Sequence, residues 1–382
     1  MAEKKLPKGI TLRKDGRYVG RFMYHGEKFT VYGEDLRKVK KELANLKYEV
    51  EHNLYQKPSR ITIDQWFNEW VETYKARNVK PTTLEIYKRH YRVHIQGSLG
   101  KKYLVDVRAN DIQKLFNTMA DNQYSMSTIE HVKNVINGMM AQAYKNKLIK
   151  ENPMMFITVP NGKEKKDRVA LTKEEQNLFL EYAEKYSPQT YTLFALALCT
   201  GMRKGELFAL RWEDVDFTNR VIHVTGTLSK LSHAAPYRGT PKTKTSLRDI
   251  PMMDYAYKIL KQQKKEQMEM RLMQGEKWKP LPDLENLVFT SNTGKSRLSS
   301  SIFSIMNKII KHIKEDGKQI NDFPFHVLRH TFATRAIEGG MNPQTLKTIL
   351  GHSSLSMTMD LYSHVMEDTK AKEMNQISEL FS

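Results

Sequence analysis

The apolar positions fall into three successive patterns along the chain. In the first, short β-type runs at 10–13, 17–24 and 28–32 are separated by Asp15-Gly16 and His25-Gly26, both favoured turn pairs. Leu36, Val39, Leu43, Leu46 and Val50 then recur at steps of three and four on a Lys/Glu-rich background, which predicts one helix with one buried face. Residues 1–57 therefore read as a small module of three strands backed by a helix. After the linker-like Lys57-Pro58-Ser59 the period becomes helical. Thr62 can cap a helix bearing Trp66, Phe67 and Trp70, and Pro81-Thr82 opens a second with Leu84, Ile86 and Tyr87. Helices over 111–119 and 127–148 complete a four-helix domain at 60–156, ending near Asn152-Pro153. Residues 160–168, PNGKEKKDR, carry no apolar period and read as an exposed linker. Beyond it Thr172 and Glu175 form a capping box, and the region 168–382 is mostly helical. It is interrupted by a hairpin with arms near 221–225 and 246–251. The predicted fold class is α+β and multidomain, with a three-stranded N-terminal module, an all-α middle domain and a mainly α last domain holding a small β-hairpin.

Charge narrows the partner. The 382 residues hold 62 Lys+Arg against 43 Asp+Glu, a formal charge of +19. Such an excess favours a polyanion, since each cation set against a phosphate releases a condensed counterion. An anionic membrane would attract it too, but no apolar run approaches a spanning length. The opening MAEKKLPKG lacks the apolar centre of a signal peptide. The single cysteine, Cys199, excludes an internal disulfide and suits a reducing cytoplasm. Arg13, Lys14, Arg17, Arg21 and Lys28 load the strands and turns of the first module. They form either a solvated sheet face or a sheet that enters a DNA groove. Lys75, Arg77, Lys80, Lys88, Arg89, His90 and Arg92 make the four-helix domain basic as well, although charged helix faces are ordinarily just solvated.

Four segments of the last domain could carry chemistry. Thr200-Gly201-Met202-Arg203-Lys204-Gly205-Glu206 follows an apolar helix. Gly201 breaks that helix, Arg203 starts the next, and Glu206 stands one turn on, within reach of the guanidinium. Pro241-Lys242-Thr243-Lys244-Thr245-Ser246-Leu247-Arg248 leads into a strand, and a lysine there could donate a proton if the hairpin faces a phosphate. His326 and Arg329 in His326-Val327-Leu328-Arg329-His330-Thr331 share a helix face. Arginine matches two phosphate oxygens with its planar fork, and histidine moves protons near neutral pH. Leu350-Gly351-His352-Ser353-Ser354 is followed, ten residues beyond His352, by Tyr362. Each segment alone has an ordinary structural reading: a helix corner, a solvated lysine, a half-buried tyrosine. Together they supply what a phosphodiester needs without a metal: arginines for the non-bridging oxygens, proton carriers, and a nucleophile.

In their order and spacing these segments resemble the motifs of the tyrosine recombinase (phage integrase) family. The resemblance spans Arg203 to Tyr362, and its strings are Thr-Gly-x-Arg-x-Gly-Glu, His-x-Leu-Arg-His and Leu-Gly-His-x-Ser. It implies that Arg203 and Arg329 clamp the scissile phosphate, with Glu206 supporting Arg203. Lys242 would be the general acid, His326 the proton acceptor, and His352 a hydrogen-bond donor to a phosphate oxygen. Tyr362 would attack and leave a 3′-phosphotyrosine. Lys244 lies two residues beyond Lys242; the resemblance favours Lys242, which stands at the family's usual distance before Arg248-Asp249-Ile250-Pro251.

The upstream domains then resemble the arm-binding module and the helical core-binding domain of integrases from phages and conjugative transposons. The resemblance implies a recombinase that integrates and excises a mobile element through a Holliday junction, as a homo-tetramer on double-stranded DNA with core and arm att sites. It leaves room for an excisionase or a DNA-bending accessory protein, and implies no cofactor, no metal and no membrane partner. Its place would be the cytoplasm, at the bacterial nucleoid. The segment 364–382 would dock on a neighbouring protomer or on its own domain. Other readings fit less well. Thr293-Gly294-Lys295-Ser296 hints at a phosphate loop, but Phe289 stands where its first glycine belongs. His326 and His330 lack the glutamate of a zinc motif. A metal-dependent transposase leaves the ordered basic set unexplained. A type IB topoisomerase shares much of the chemistry, and a catalytically idle DNA-binding regulator would not need every catalytic position filled.

Overall fold

The computed structural model of the chain describes residues 6–52, 60–163, 170–232, 234–240, 244–297 and 299–359. Two compact units emerge, Met1–Lys165 and Lys166–Ser382. The first opens with an antiparallel meander of β1 (Ile10–Leu12), β2 (Tyr18–Tyr24) and β3 (Glu27–Gly33). Asp35 accepts from the backbone N–H groups of Arg37 and Lys38 and so starts α1 (Leu36–Glu51). Val39 and Val50 of that helix are buried together with Ile10, Val19 and Phe29 of the strands. This is the sheet-plus-helix module that the hydrophobic pattern predicts.

Four helical rods follow. The Thr62–Gln65 capping box starts α2 (Ile63–Glu69), which runs on through a π turn at Trp70–Lys75. α3 (Pro81–His90) continues likewise through a π turn at Tyr91–Ile95 into α4 (Gln96–Leu99). Each π turn holds one residue more than an α turn, which rotates the helix face that follows it. α5 (Ala109–Asp121) and α6 (Met126–Lys145) complete the set. The last helix stops before the 148 expected from its apolar run, because Asn146 caps it and Lys147 adopts a positive φ of 58°. Trp66 and Trp70 are at most 1% exposed, and the Trp66 indole N–H donates to the Met139 carbonyl at 2.9 Å.

The second unit is built on α8 (Pro188–Thr200), which is apolar all round and therefore central. α7 (Lys173–Tyr186), opened by the Thr172–Glu175 capping box, packs on it. The chain then turns into α9 (Lys204–Ala209) and a small antiparallel sheet ordered β4 (Val215–Asp216), β5 (Val221–Val224), β8 (Arg248–Pro251). A separate ribbon pairs β6 (Thr227–Ser229) with β7 (Tyr237–Gly239). α10 (Asp254–Gln274), α11 (Ser299–Glu315), α12 (His326–Glu338) and α13 (Pro343–Leu350) enclose the rest of the core. The predicted hairpin arms are β5 and β8. The two- and three-residue strands β4, β6 and β7 went unpredicted, being too short for an alternating pattern. Thr293-Gly294-Lys295-Ser296 forms part of a tight turn closed by Ser291 N–H to Lys295 O at 2.7 Å. No helix of the described residues is long and apolar enough to cross a membrane.

Candidate active site

The corner between α8 and α9 places the first arginine. Gly201 has φ +63°, and a Cβ there would lie 2.4 Å from a ring carbon of Phe332. Only glycine satisfies both the left-handed backbone and the close approach. Arg203 then takes the N-cap position of α9. Its backbone N–H donates to Glu206 Oε2 at 2.9 Å, and its Nη1 donates to Glu206 Oε1 at 2.8 Å. From β8, Arg248 reaches the same carboxylate in bidentate fashion, Nη1 to Oε1 at 3.1 Å and Nη2 to Oε2 at 2.9 Å. The side chains of Arg248 and Glu206 are only 3% and 4% exposed. Burial pushes the Glu206 pKa up, but the hydrogen bonds and charge of Arg248, then those of Arg203, outweigh it and leave the carboxyl below its usual value.

α12 supplies the third arginine. Arg329 donates from Nη1 to the Gly201 carbonyl at 2.8 Å and from Nη2 to the Leu350 carbonyl at 2.7 Å. Burial, with the nearby charge of Arg203, pushes its pKa down to about 9, so it stays protonated at neutral pH. The end of α13 ties the group together. Gly351, at φ +66°, closes the helix, and the amides of Gly351 and His352 satisfy the carbonyls of Thr348 and Lys347. The next three carbonyls each accept from a different arginine: Ile349 from Arg248 Nε, Leu350 from Arg329, and Gly351 from Arg203 Nη2 at 2.9 Å. A helix C-terminus carries unpaired carbonyls and partial negative charge, so it suits this use. Two of the guanidinium groups thus share one carboxylate and all three share one helix end, which leaves an excess of two positive charges among these four side chains.

His352 follows directly. It is 8% exposed, and its Nδ1 lies 2.9 Å from the hydroxyl of the fully buried Thr358. Burial, reinforced by Arg329 and Arg203, pushes its pKa down to about 4 from the ordinary 6.5. The folded state therefore holds it neutral, and its stabilising contribution is complete above pH 6.5 and fades as pH falls from there toward 4. We expect the thermal midpoint of the second unit to drop between pH 7 and pH 5, and His352→Asn to flatten that slope. An unchanged slope would mean that another group governs it.

The structure brings Arg203, Glu206, Arg329 and His352 together. His326 begins α12, and its ring packs edge-on against His330 at 4.7 Å between centroids. Lys242, Tyr362 and the segment 364–382 lie outside the described residues. Lys244 belongs to a short turn, Lys244–Ser246, just before β8. In the first unit Arg13, Arg17, Arg21 and Lys28 are all exposed. Arg17 is tied to Asp15 at 2.9 Å in the β1–β2 turn. The β2–β3 register sets Arg21 opposite Thr30 and Met23 opposite Lys28, so Arg21, Met23, Lys28 and Tyr32 share a sheet face. Arg248 and Thr358 were not singled out in the sequence. Arg248 had a signal: it sits two residues before buried Ile250 in a strand, hence on the same inward face.

The basic cluster sits where two helix corners meet beside a short sheet, and comparison with known proteins gives the class. The profile of the phage integrase family matches residues 169–368, and that of the phage integrase N-terminal SAM-like domain matches residues 62–120. The chain belongs to the phage integrase family. A tyrosine recombinase XerC-like protein of Caldanaerobacter subterraneus subsp. tengcongensis is 27% identical over 336 residues, 84% of each chain. The transposase from transposon Tn916 of Enterococcus faecalis is 24% identical and covers 98% of this chain and 95% of its own. Among solved structures, a fragment of the Tn1549 transposon integrase in complex with transposon right end DNA superimposes with a TM-score of 0.72 at 26% identity. That match covers 83% of this chain and 100% of the fragment.

Proposed function

We propose that this chain is a site-specific DNA recombinase that integrates and excises a mobile element by cutting and rejoining DNA through Tyr362. The observation that carries the reading is the three-arginine cluster on Glu206 and the end of α13. Among the described residues Glu206 is the carboxylate bonded to this cluster, and a phosphodiester supplies further negative charge. Arg203, whose side chain is 36% exposed, can meet a phosphate directly. In this reading Tyr362 Oη attacks phosphorus and the P–O5′ bond breaks. His326 takes the tyrosine proton, and Lys242 gives one to the departing 5′ oxygen. Arg203 and Arg329 hold the non-bridging oxygens, and neutral His352 donates a hydrogen bond to one of them. The phosphotyrosyl bond conserves the energy of the phosphodiester, so the 5′ hydroxyl of a partner strand reverses the step without ATP.

Two duplexes present four strands to be cut, one per nucleophile, which calls for a homo-tetramer and a Holliday junction between two rounds of exchange. The domain assignment is 1–57 for arm-site binding, with Arg13, Arg17, Arg21 and Lys28 toward DNA, 60–156 for the core site, and 168–382 for catalysis. The separate hydrophobic core of 63–149 supports the middle boundary. Duplex DNA as substrate sets the work in the cytoplasm, at the nucleoid. The transposon-borne relatives favour a conjugative element as the host, with att sites at its ends.

The test traps the intermediate. A nicked duplex carrying the element's ends is incubated with wild type and with Tyr362→Phe in EDTA, then run on a denaturing gel. We expect a DNA-linked band from wild type alone. No band from either protein, despite a clear mobility shift on a native gel, would favour an idle DNA-binding regulator, or a metal-dependent enzyme if Mg²⁺ restores activity. Relaxation of any supercoiled plasmid without recombination of paired sites would favour the topoisomerase reading.

A further inference from the structure

We infer that Arg248, which ends the lysine-bearing segment and has no role assigned above, is a positioning residue for strand cleavage. It acts through Glu206 on Arg203, and the inference rests on the recombinase reading just given. Arg248 spends its guanidinium inside the protein: Nε is on a carbonyl and both terminal nitrogens are on the Glu206 carboxylate, so its charge is matched before a phosphate arrives. Its bonds nonetheless join three parts of the site. Nη1 and Nη2 hold both oxygens of Glu206 on α9, Nη1 also reaches the Ser246 carbonyl at 3.2 Å, and Nε holds the Ile349 carbonyl on α13. Gly351 completes the fit, because a Cβ there would lie 3.1 Å from Arg248 Cδ.

Two consequences follow from sharing the carboxylate. Each oxygen of Glu206 accepts once from Arg203 and once from Arg248, so its orientation is set by both. Its charge is divided as well, and Arg203 keeps positive charge for an incoming phosphate instead of losing it to a private ion pair. Lysine cannot replace Arg248 here. One ammonium cannot span a carboxylate bidentately and also reach a carbonyl 100 or so residues away in sequence. Removing Arg248 leaves Glu206 free to rotate onto Arg203 and releases the end of α13. The carbonyl that holds Arg203 Nη2 belongs to that same end. Arg203 is thereby misplaced on both sides, although nothing that touches DNA has been deleted.

The test is a double-mutant cycle on single-turnover cleavage of the nicked duplex, using the full chain. Arg248→Met should lower the cleavage rate roughly 10- to 100-fold, the scale of small misplacements of a reacting group. DNA affinity should stay within about threefold, because phosphate contacts dominate it and Arg248 makes none. Arg248→Lys should recover less than about a third of that loss. In an Arg203→Met background the Arg248→Met change should cost less than about threefold, since the residue through which it acts is gone. Full additivity of the two changes, or full activity of Arg248→Lys, would overturn the inference. Should Arg248→Met melt before the assay temperature, the Lys variant carries the cycle alone. Failure of wild type to form the Tyr362-linked band would instead refute the recombinase reading beneath it.

Discussion

Arg329→Met is expected to slow formation of the covalent DNA–protein link by roughly 10²- to 10³-fold, the usual cost of removing one donor aimed at a developing oxyanion. The prediction follows from how Arg329 is held. Both its terminal nitrogens are engaged by carbonyls, of Gly201 and Leu350, and no carboxylate among the described residues bonds to it. Its charge is therefore not cancelled locally, and burial makes it act at low effective dielectric on whatever anion arrives. Methionine keeps the volume and removes the charge. The fold should tolerate the change, because deleting a buried cation that lacks a carboxylate partner offsets the loss of its bonds to two carbonyls. Rapid-quench sampling of the nicked-duplex reaction, alongside a melting curve, separates the two effects. A rate within about threefold of wild type would show that Arg329 is structural only.

Glu206→Gln is expected to do the opposite, acting first on stability. Among the described residues Glu206 is the one carboxylate bonded to Arg203 and Arg248, and Arg329 adds a third positive charge nearby. Breaking a buried pair by neutralising one partner costs roughly 3–5 kcal/mol, since the remaining charge stays desolvated. For a unit of this size that corresponds to a fall in its thermal midpoint of roughly 6–20 °C. The isosteric amide keeps the shape and some hydrogen bonds, so the loss reports charge. The sign with pH can be checked too. A carboxyl whose folded pKa lies below its ordinary 4.5 stabilises above that pH, and the contribution is lost as pH falls through the folded value. The difference between wild type and Glu206→Gln should therefore shrink in acid below about pH 4.5. This window lies under the one set by His352, so the two groups are separable. A difference that stays constant down to pH 3 would refute the ion-pair account.

Much of this site was legible in the chain because its pieces are locally determined. Gly201 and Gly351 mark left-handed helix ends, Thr172 and Glu175 mark a helix start, and Arg203 and Glu206 stand three apart where a capping glutamate belongs. Such features depend on neighbours a few residues away, which a sequence displays. The convergence itself is not local. Arg203 meets the carbonyl of Gly351 across 148 residues, and Arg329 meets that of Gly201 across 128. Nothing in the spacing of either arginine announces a helix end as its partner. Arg248 illustrates the gap: its strand and inward face were readable, but its pairing with a glutamate 42 positions earlier was not. The π turns at Trp70–Lys75 and Tyr91–Ile95 escaped for a related reason. They widen a helix by one residue to fit a tertiary packing that single-helix periodicity does not contain.

The three carbonyls at the end of α13 have a mechanical meaning as well as an electrostatic one. Because Ile349, Leu350 and Gly351 are consecutive, they move as a single rigid lip, and Arg248, Arg329 and Arg203 are geared to it together. A displacement of that helix end therefore disturbs the holding bonds of all three arginines together. The placement of each arginine is thereby coupled to that of the other two through one short stretch of backbone.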